Sequence, residues 1–415
     1  MCSLFLVNVF GIIELTNQNG DHMTFTITKE EARKFILLKQ GLLGEHKFHG
    51  QQGVYDFVRQ AGCLQYDPID PHGRNAEIVL QSRVKNFDKQ MLWDTLYKER
   101  KLIDHWDKCM SIFPVEDWPY FDQSRKRFVL SNKGKKDIGP IEEQIKRIIR
   151  EKGPVNSKDL DFKEKVDWWW APTSLSRAAL ESMYFNGDLV LHHKKGTIRH
   201  YDLVENMISA EILATENPHQ TVEEQQAWHL LRRIGAVGMI WNKPSDAWIA
   251  MRDFKAPVRN AAFNNLQSSH KIQTVSVQDM SEPLYMLTAD KPILDQVLSG
   301  ENVESRTEFI APLDSFMWDR KLIQTLFNFS YTWEIYKKPE QREYGYYVLP
   351  VLHGTELVGR IELIRDKKEK LLYVKNYWPE RCIKQTSKIR EGIAECVGRF
   401  ADFNQCETSI LELKY

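Results

Sequence analysis

The sequence predicts an α+β protein in which tandem winged-helix domains are followed by a C-terminal β-barrel-like domain. Up to about residue 300, short helices followed by a pair of strands recur, which is the order of a winged helix. Beyond that point, alternating or apolar strand patterns separated by short turns dominate. We expect an N-terminal extension over 1–23, winged-helix domains over 24–135, 136–205 and 206–300, and the β-barrel-like domain over 301–415.

The composition is that of an ordinary globular protein. Of 415 residues, 42% are hydrophobic and 27% are charged, and the 57 basic residues equal the 57 acidic ones. This balance excludes a polybasic nucleic-acid coat but leaves room for a local basic groove. The six cysteines have no CxxC spacing, so we expect free thiols in a reducing cytoplasm. The apolar run over 1–15 lacks a signal peptide's basic start and is too short for a membrane span.

The first winged-helix domain is predicted from local signals. Thr28 and Glu31 have the spacing of a capping box and begin the first helix. Apolar periodicity predicts further helices over 51–61, 74–83 and 89–99, and an extended stretch over 102–113. The basic stretch over 125–136 is interpreted as a flexible linker or a solvated surface.

The second winged-helix domain has the clearest pattern. Helices are predicted over 141–150, 157–160 and 174–185, with Thr173 or Ser174 as the last N-cap. Strands over 189–193 and 198–201 follow, and they enclose a basic tip. Such a wing usually contacts phosphates, so Lys194, Lys195 and Arg199 are candidate DNA contacts, the alternative being solvated wing tips.

The remaining chain is predicted more coarsely. We expect helices over 222–234 and 246–252 and strands over 271–277 and 284–287 in the third domain. In the last domain, strands are predicted over 333–336, 345–352, 357–364 and 371–378, followed by an amphipathic helix over 387–403.

Gln65 and Asp67 form the candidate catalytic pair. They are two residues apart in a stretch that reads as extended, so both side chains point to one side. A carboxylate beside an amide can hold and polarise a water molecule, which indicates hydrolysis. The alternative is structural: Asp67 closes an Asx-turn before Pro68, and Gln65 bonds to backbone.

Other chemistries have no matching motif. The sequence contains no HExxH or DxD cluster, and His192 and His193 would face opposite sides of a strand, so we expect no metal. It contains no GxxxxGK[ST] or GxGxxG loop and no GxSxG elbow, so we expect no nucleotide cofactor and no serine nucleophile.

Read together, several blocks resemble the YcaQ/AlkZ-type DNA glycosylases, a family of winged-helix enzymes, over about residues 26–380. The blocks that carry the resemblance are residues 64–67 with Arg74 and Ser82-Arg83, then 104–106, 113–114, 153–154, 168–170, 187, 199–203, 311–314, 318–320, 344–347, 352–354 and 358–360.

The resemblance implies three winged-helix units and a β-barrel-like domain around a DNA-sized concave surface, without metal or cofactor. It places Gln65 and Asp67 at the catalytic positions. A carboxylate at 67, where one branch has a second glutamine, favours the branch with broader tolerance for alkylated purines and crosslinks. One departure is the run His105-Trp106-Asp107-Lys108, where the family often has an aromatic-Trp-x-His run.

The implied partner is double-stranded DNA with alkylated or crosslinked purines, bound by a cytoplasmic, nucleoid-associated monomer without a membrane. Because the motif contains no lysine, we expect a monofunctional enzyme that forms no Schiff base. The competing hypothesis is a non-catalytic winged-helix DNA-binding regulator. Its recognition helix, 174–185, would have only Arg177 as a strong base reader.

Three further residue groups are interpreted with their alternatives. Arg74 and Arg83 either neutralise phosphates near Asp67 or pair with Glu77. The tryptophans at 168–170 are interpreted as packing residues rather than base-stacking ones. The acidic and basic residues over 314–320 are interpreted as a structural Asp–Arg network.

Overall fold

The computed structural model describes residues 25–130, 134–169 and 171–409. Within these ranges the chain forms two compact units. The motif unit consists of residues up to Lys89 together with those from Gln226 onward, and the wing unit runs from Gln90 to Gln225. The predicted extension over 1–23 lies outside the described residues. None of the helices in the described part is both long and apolar enough to cross a bilayer.

The motif unit begins with the predicted capping box. Thr28 Oγ1 accepts from the Glu31 backbone N–H (3.1 Å), and the Glu31 carboxylate accepts from the Thr28 N–H (2.7 Å). The prediction is confirmed because both halves of this signal are local in sequence. The elements up to residue 89 are strands Phe25–Ile27, Phe48–His49, Leu64–Gln65 and Val84–Lys85 and helices Lys29–Gln40, Gly50–Ala61 and Asn75–Gln81.

A mixed four-stranded sheet joins the start of the chain to its third quarter. Strand Phe25–Ile27 pairs in parallel with Ile272–Val277, which is antiparallel to Leu284–Leu287, which in turn is antiparallel to Met239–Trp241. The predicted strands over 271–277 and 284–287 are confirmed. The predicted helix over 246–252 is only a short 3₁₀ turn. The remaining elements here are helices Val222–Val237, Ala256–Ser268 and Lys291–Leu298 and 3₁₀ turns Asp246–Trp248 and Thr288–Asp290.

The C-terminal sheet is open rather than a closed barrel. Its strands lie in the order Thr307–Phe309, Val348–His353, Glu356–Asp366, Leu371–Pro379 and Glu407–Ser409, and the first and last do not pair with each other. Helix Ser387–Phe403 matches its predicted bounds. It buries an apolar face that includes Ile393 and Phe400. The other elements are helix Arg320–Phe327 and 3₁₀ turns Ser315–Met317 and Pro339–Gln341.

The predicted strand over 333–336 is wrong. Glu334 instead organises a loop, because its carboxylate accepts from Lys337 Nζ (2.8 Å) and from the backbone N–H groups of Glu343 (3.1 Å) and Tyr344 (2.9 Å). Burial alone would raise the pKa of Glu334, but Lys337 and these N–H groups lower it to about 2. A charged group held in this way turns the chain back on itself, which a strand does not permit.

The wing unit confirms the predicted hairpin. Strands Leu189–Lys195 and Ile198–Leu203 are antiparallel, and Ser174 caps helix Leu175–Asn186, which ends at Gly187 with φ +91°. The other elements are helices Lys89–Tyr97, Asp122–Leu130, Lys135–Lys152, Val204–Met207 and Ala210–Ala214, 3₁₀ helix Val115–Phe121, and strands Leu102–Trp106, Met110–Pro114, Lys165–Val166 and Thr173–Ser174.

Two predictions in this unit are wrong. The basic stretch over 125–136 is not a linker where the structure describes it, because its ends belong to helices Asp122–Leu130 and Lys135–Lys152. The exposure of Lys126, Lys135 and Lys136 fits the other interpretation, a solvated surface. The latter helix buries Ile138, Ile145 and Ile149. The predicted helix over 157–160 is a turn, in which the Asp159 carboxylate accepts from the Asn156 N–H (2.8 Å). The described hairpin therefore follows two helices, not three.

Candidate active site

The backbone of the Gln65-x-Asp67 motif is fixed from a distant part of the chain. Gln65 ends the short strand Leu64–Gln65. Its carbonyl oxygen accepts from Asn75 Nδ2 (2.9 Å), and Asn75 Oδ1 accepts from the backbone N–H of Leu313 (3.0 Å). Asn75 is 1% exposed, so these bonds are shielded from water. One buried amide thus links the motif to the block over 311–314.

The structural role predicted as an alternative to catalysis is present for Asp67 but not for Gln65. Asp67 Oδ1 accepts from the Ile69 N–H (2.9 Å), so the predicted Asx-turn is present, but it uses only one carboxylate oxygen. Burial raises the pKa of Asp67, and the Ile69 N–H opposes this. Gln65 does not use its side chain on the backbone: Oε1 is buried and, among the described residues, has no hydrogen-bond partner.

A second turn follows the motif and leads into helix Asn75–Gln81. Asp70 Oδ1 accepts from the Gly73 N–H (2.9 Å) and from Arg365 Nη2 (3.0 Å). Although burial alone would raise the pKa of Asp70, Arg365 and the Gly73 N–H lower it. Arg74 caps the helix, with its N–H and Nη1 both on the Glu77 carboxylate (2.9 and 3.0 Å). Of the two roles predicted for Arg74, the pairing with Glu77 is confirmed.

Arg83 lies in the interior. Its side chain is 0% exposed, and it makes a bidentate pair with Asp314, with Nη2 2.7 Å from Oδ1 and Nη1 2.8 Å from Oδ2. Its guanidinium has no surface to offer a phosphate, so the predicted phosphate contact is wrong, and its partner is not Glu77. The predicted structural Asp–Arg network is confirmed for Asp314, although its arginine is Arg83 rather than Arg320.

Aromatic rings pack around His72, which lies in this turn. His72 is 0% exposed, and its ring lies edge-on to Tyr347 (centroids 5.0 Å apart) and Phe400 (5.6 Å). Tyr347 is also edge-on to Trp333 (5.9 Å). Burial lowers the pKa of His72 to about 3, so its imidazole is neutral at physiological pH. Within the described part of the chain, neither His72 nitrogen nor the Tyr347 hydroxyl has a hydrogen-bond partner.

The predicted DNA contacts of the wing unit fall into two groups. Lys194 is largely buried and pairs with Asp104 (2.9 Å), so it supports the hairpin rather than its surface. Arg199 is partly buried, close to the Tyr201 side chain. Lys195 is exposed at the tip, as predicted. Arg177 is exposed on its helix but pairs with Glu181 four residues along (2.9 Å).

The histidine and tryptophans singled out in the sequence have packing roles. His105 is 1% exposed, its Nε2 lies 2.8 Å from the Tyr184 carbonyl oxygen, and burial lowers its pKa to about 4. Trp168 is buried and donates to Glu181 (2.7 Å), which confirms packing. Trp169 is 45% exposed, and residue 170 lies outside the described ranges.

Sequence reasoning missed Asn75, His72 and Tyr347. Asn75 begins a helix, where asparagine is ordinary, and nothing in its neighbourhood signals a partner 238 residues away. Tyr347 belongs to a block that carried the family resemblance, yet no spacing connects it with the motif. Only the folded chain brings the three residues together.

Comparisons with known proteins give the family of the chain and a similar solved structure. The sequence model of the family described as DNA glycosylase AlkZ-like matches residues 58–403, a range that includes the motif, the turn after it and Tyr347. Among solved structures, the Streptomyces sahachiroi DNA glycosylase AlkZ is similar, with a TM-score of 0.61 at 13% sequence identity, over 93% of this chain and 100% of the other. At that identity the structural likeness speaks for the fold alone.

Proposed function

The chain belongs to the AlkZ-like family of DNA glycosylases, and we propose that it hydrolyses the N-glycosidic bond of N7-alkylated purines in DNA at Gln65 and Asp67. We further propose that interstrand crosslinks joined through such purines are substrates. The proposal is supported by the hydrogen bonding of the Gln65 and Asp67 side chains. Asp67 keeps one carboxylate oxygen outside its turn. Two residues earlier, the Gln65 amide oxygen is buried without a hydrogen-bond partner in the described part of the chain, on a backbone held by Asn75.

Hydrolysis of an N7-alkylated purine requires only a few groups from the protein. Alkylation at N7 leaves the purine positively charged, so the base is already an activated leaving group. The remaining barrier is the oxocarbenium-like sugar and the delivery of water to C1′. The Asp67 carboxylate stabilises that positive charge and accepts a proton from the water, and Gln65 orients the same water. No lysine lies in the motif, so the product is an abasic site without a covalent enzyme intermediate.

Partial exposure of the motif supports the crosslink substrate. Gln65 and Asp67 are both partly exposed, and Pro68 beside them is exposed. A base tethered to the opposite strand is difficult to rotate into a deep pocket, so a motif near the surface suits it better. On the wing unit, Lys195 is the exposed cation proposed to contact a phosphate.

The test is release of 7-methylguanine from methylated duplex DNA. Asp67→Asn and Gln65→Ala should each sharply reduce release, while affinity for the same duplex stays near that of the wild type. Full activity in both variants would overturn the assignment. Nitrogen-mustard-crosslinked duplex, assayed in parallel, shows whether unhooking accompanies release of the singly alkylated base.

The same assay excludes or supports a non-catalytic regulator. A regulator would leave alkylated bases in place and prefer one sequence strongly over random DNA. The predicted recognition helix argues against a regulator, because Arg177 is the one strong base reader that it offers.

A further inference from the structure

Two buried tyrosines of the motif unit have hydroxyl groups in opposite situations. Tyr331 is 8% exposed, and its hydroxyl donates to the Val348 carbonyl oxygen (2.8 Å). Tyr347 is 2% exposed, and its hydroxyl is buried with no hydrogen-bond partner among the described residues. Leaving a buried hydroxyl unpaired costs about 1–3 kcal/mol, so such a group in a native structure calls for an explanation.

The position of Tyr347 relates it to the motif. Its ring is held edge-on between His72 and Trp333, and His72 lies in the turn that directly follows Asp67. Burial raises the pKa of Tyr347 well above the ordinary tyrosine value, and the nearby carboxylates of Asp67 and Asp70 add to that increase. The phenol therefore stays protonated at physiological pH and keeps a proton that it can donate in a hydrogen bond.

The polar groups here match what an attacking water requires. A water molecule has two hydrogens to donate and two lone pairs. Asp67 and the unpaired Gln65 Oε1 supply two acceptors, and the unpaired Tyr347 hydroxyl supplies one donor. A water molecule bound to all three groups has three of its four hydrogen-bonding directions filled and one lone pair left for C1′.

We propose that Tyr347 is a third catalytic residue, whose hydroxyl donates a hydrogen bond to the attacking water held by Gln65 and Asp67. This inference rests on the proposed glycosylase function. In the step, the water oxygen forms a bond to C1′ while the bond from C1′ to N9 breaks. The bond's electron pair neutralises the alkylated base, and the water's proton passes to Asp67. Tyr347 fixes the water's direction and neither gains nor loses a proton.

A purely structural role for Tyr347 and a catalytic role predict different responses to the substitution Tyr347→Phe. If the hydroxyl has no function, Tyr347→Phe changes nothing in catalysis. If it has an undetected structural partner, Tyr347→Phe lowers the unfolding temperature, as Tyr331→Phe should through loss of the bond to Val348. If it serves the reaction, Tyr347→Phe removes an unpaired buried group, so the unfolding temperature stays equal or rises while the rate falls.

The experiment compares Tyr347→Phe, Tyr331→Phe and Asp67→Asn in the full-length protein. The measurements are the single-turnover rate of 7-methylguanine release, the affinity for the same duplex, and the unfolding temperature. For Tyr347→Phe we expect a rate loss of about 100- to 1000-fold, the range for removal of one preorganised donor, with affinity and unfolding temperature maintained. For Tyr331→Phe we expect a lower unfolding temperature and a wild-type rate below that temperature.

Each alternative result has a definite reading. A wild-type rate in Tyr347→Phe overturns the inference, and so does a rate loss no larger than that of Tyr331→Phe with equal destabilisation. If Asp67→Asn is inactive while Tyr347→Phe is fully active, only the role of Tyr347 is rejected. If Asp67→Asn is fully active, the proposed function itself fails and the role of Tyr347 fails with it.

Discussion

The substitution Asn75→Asp tests how the motif is held in place. Asparagine and aspartate have nearly the same shape, so the carboxylate keeps an acceptor for the Leu313 N–H. The other oxygen replaces the amide nitrogen that lies 2.9 Å from the Gln65 carbonyl oxygen. A donor facing an acceptor thus becomes two acceptors facing each other, and only the bond to the motif is lost.

The size of the effect follows from the burial of Asn75. The lost bond contributes about 0.5–1.5 kcal/mol, and an unpaired buried carbonyl adds about 1–3 kcal/mol, so we expect a loss of about 2–4 kcal/mol in the free energy of unfolding. Burial raises the pKa of the introduced carboxyl above its unfolded value. The protonated form regains a donor for Gln65, so the variant is most stable at acid pH and loses stability as pH rises through the folded-state pKa.

Urea unfolding at mildly acid and mildly alkaline pH measures this, with the single-turnover rate recorded alongside. The matched control is Asn260→Asp, because Asn260 is exposed and only accepts a bond from Asn242 (2.8 Å), which an aspartate also accepts. We expect the control to behave like the wild type. Wild-type stability of Asn75→Asp at alkaline pH, or a loss that does not change with pH, would refute the reasoning.

Three further predictions concern other parts of the site. Arg83→Met should lower the free energy of unfolding by about 3–5 kcal/mol, because it leaves the Asp314 carboxylate buried and unpaired. Adding Asp314→Leu should restore most of the lost stability. A double variant as unstable as Arg83→Met alone would contradict this explanation. Lys195→Gln should reduce the slope of log affinity against log salt by about 0.9 without changing stability. Lys194→Gln, by contrast, should destabilise the wing unit, because Lys194 pairs with Asp104. Equal slopes in wild type and Lys195→Gln would count against a phosphate contact. Because burial raises the pKa of Asp67 and the reaction needs its ionised form, the rate should rise with pH through a midpoint above that of an ordinary aspartate and then level off; a rate that falls over that range would exclude the role.

Features whose causes are local were predictable from the sequence. The capping box at Thr28, the N-cap at Ser174 and the amphipathic helix Ser387–Phe403 each depend on residues within a few turns of one another. The wrong predictions arose where a local pattern had two readings. The basic residues and Gly134 over 125–136 suggested a linker, although the same charges also suit the exposed face of a helix. The apolar pattern over 333–336 resembled a strand, although the same residues form a loop around Glu334.

The site was predictable only in part. The assignment of Gln65 and Asp67 as the catalytic pair stays a prediction from their spacing and the family resemblance. The residues that hold them do not, because the contacts are long-range: Arg83 reaches Asp314 across 231 positions, and Asn75 reaches Leu313 across 238. An arginine near a carboxylate motif looks like a phosphate ligand until the fold shows that it is completely buried.

The most direct test of the central claim uses a duplex with one N7-methylguanine and enzyme in excess. The account predicts that wild-type protein releases the base and leaves an abasic site, that borohydride traps no enzyme–DNA adduct, and that Asp67→Asn binds the duplex but releases almost nothing. Base release by Asp67→Asn at the wild-type rate, or a borohydride-trapped adduct, would contradict it.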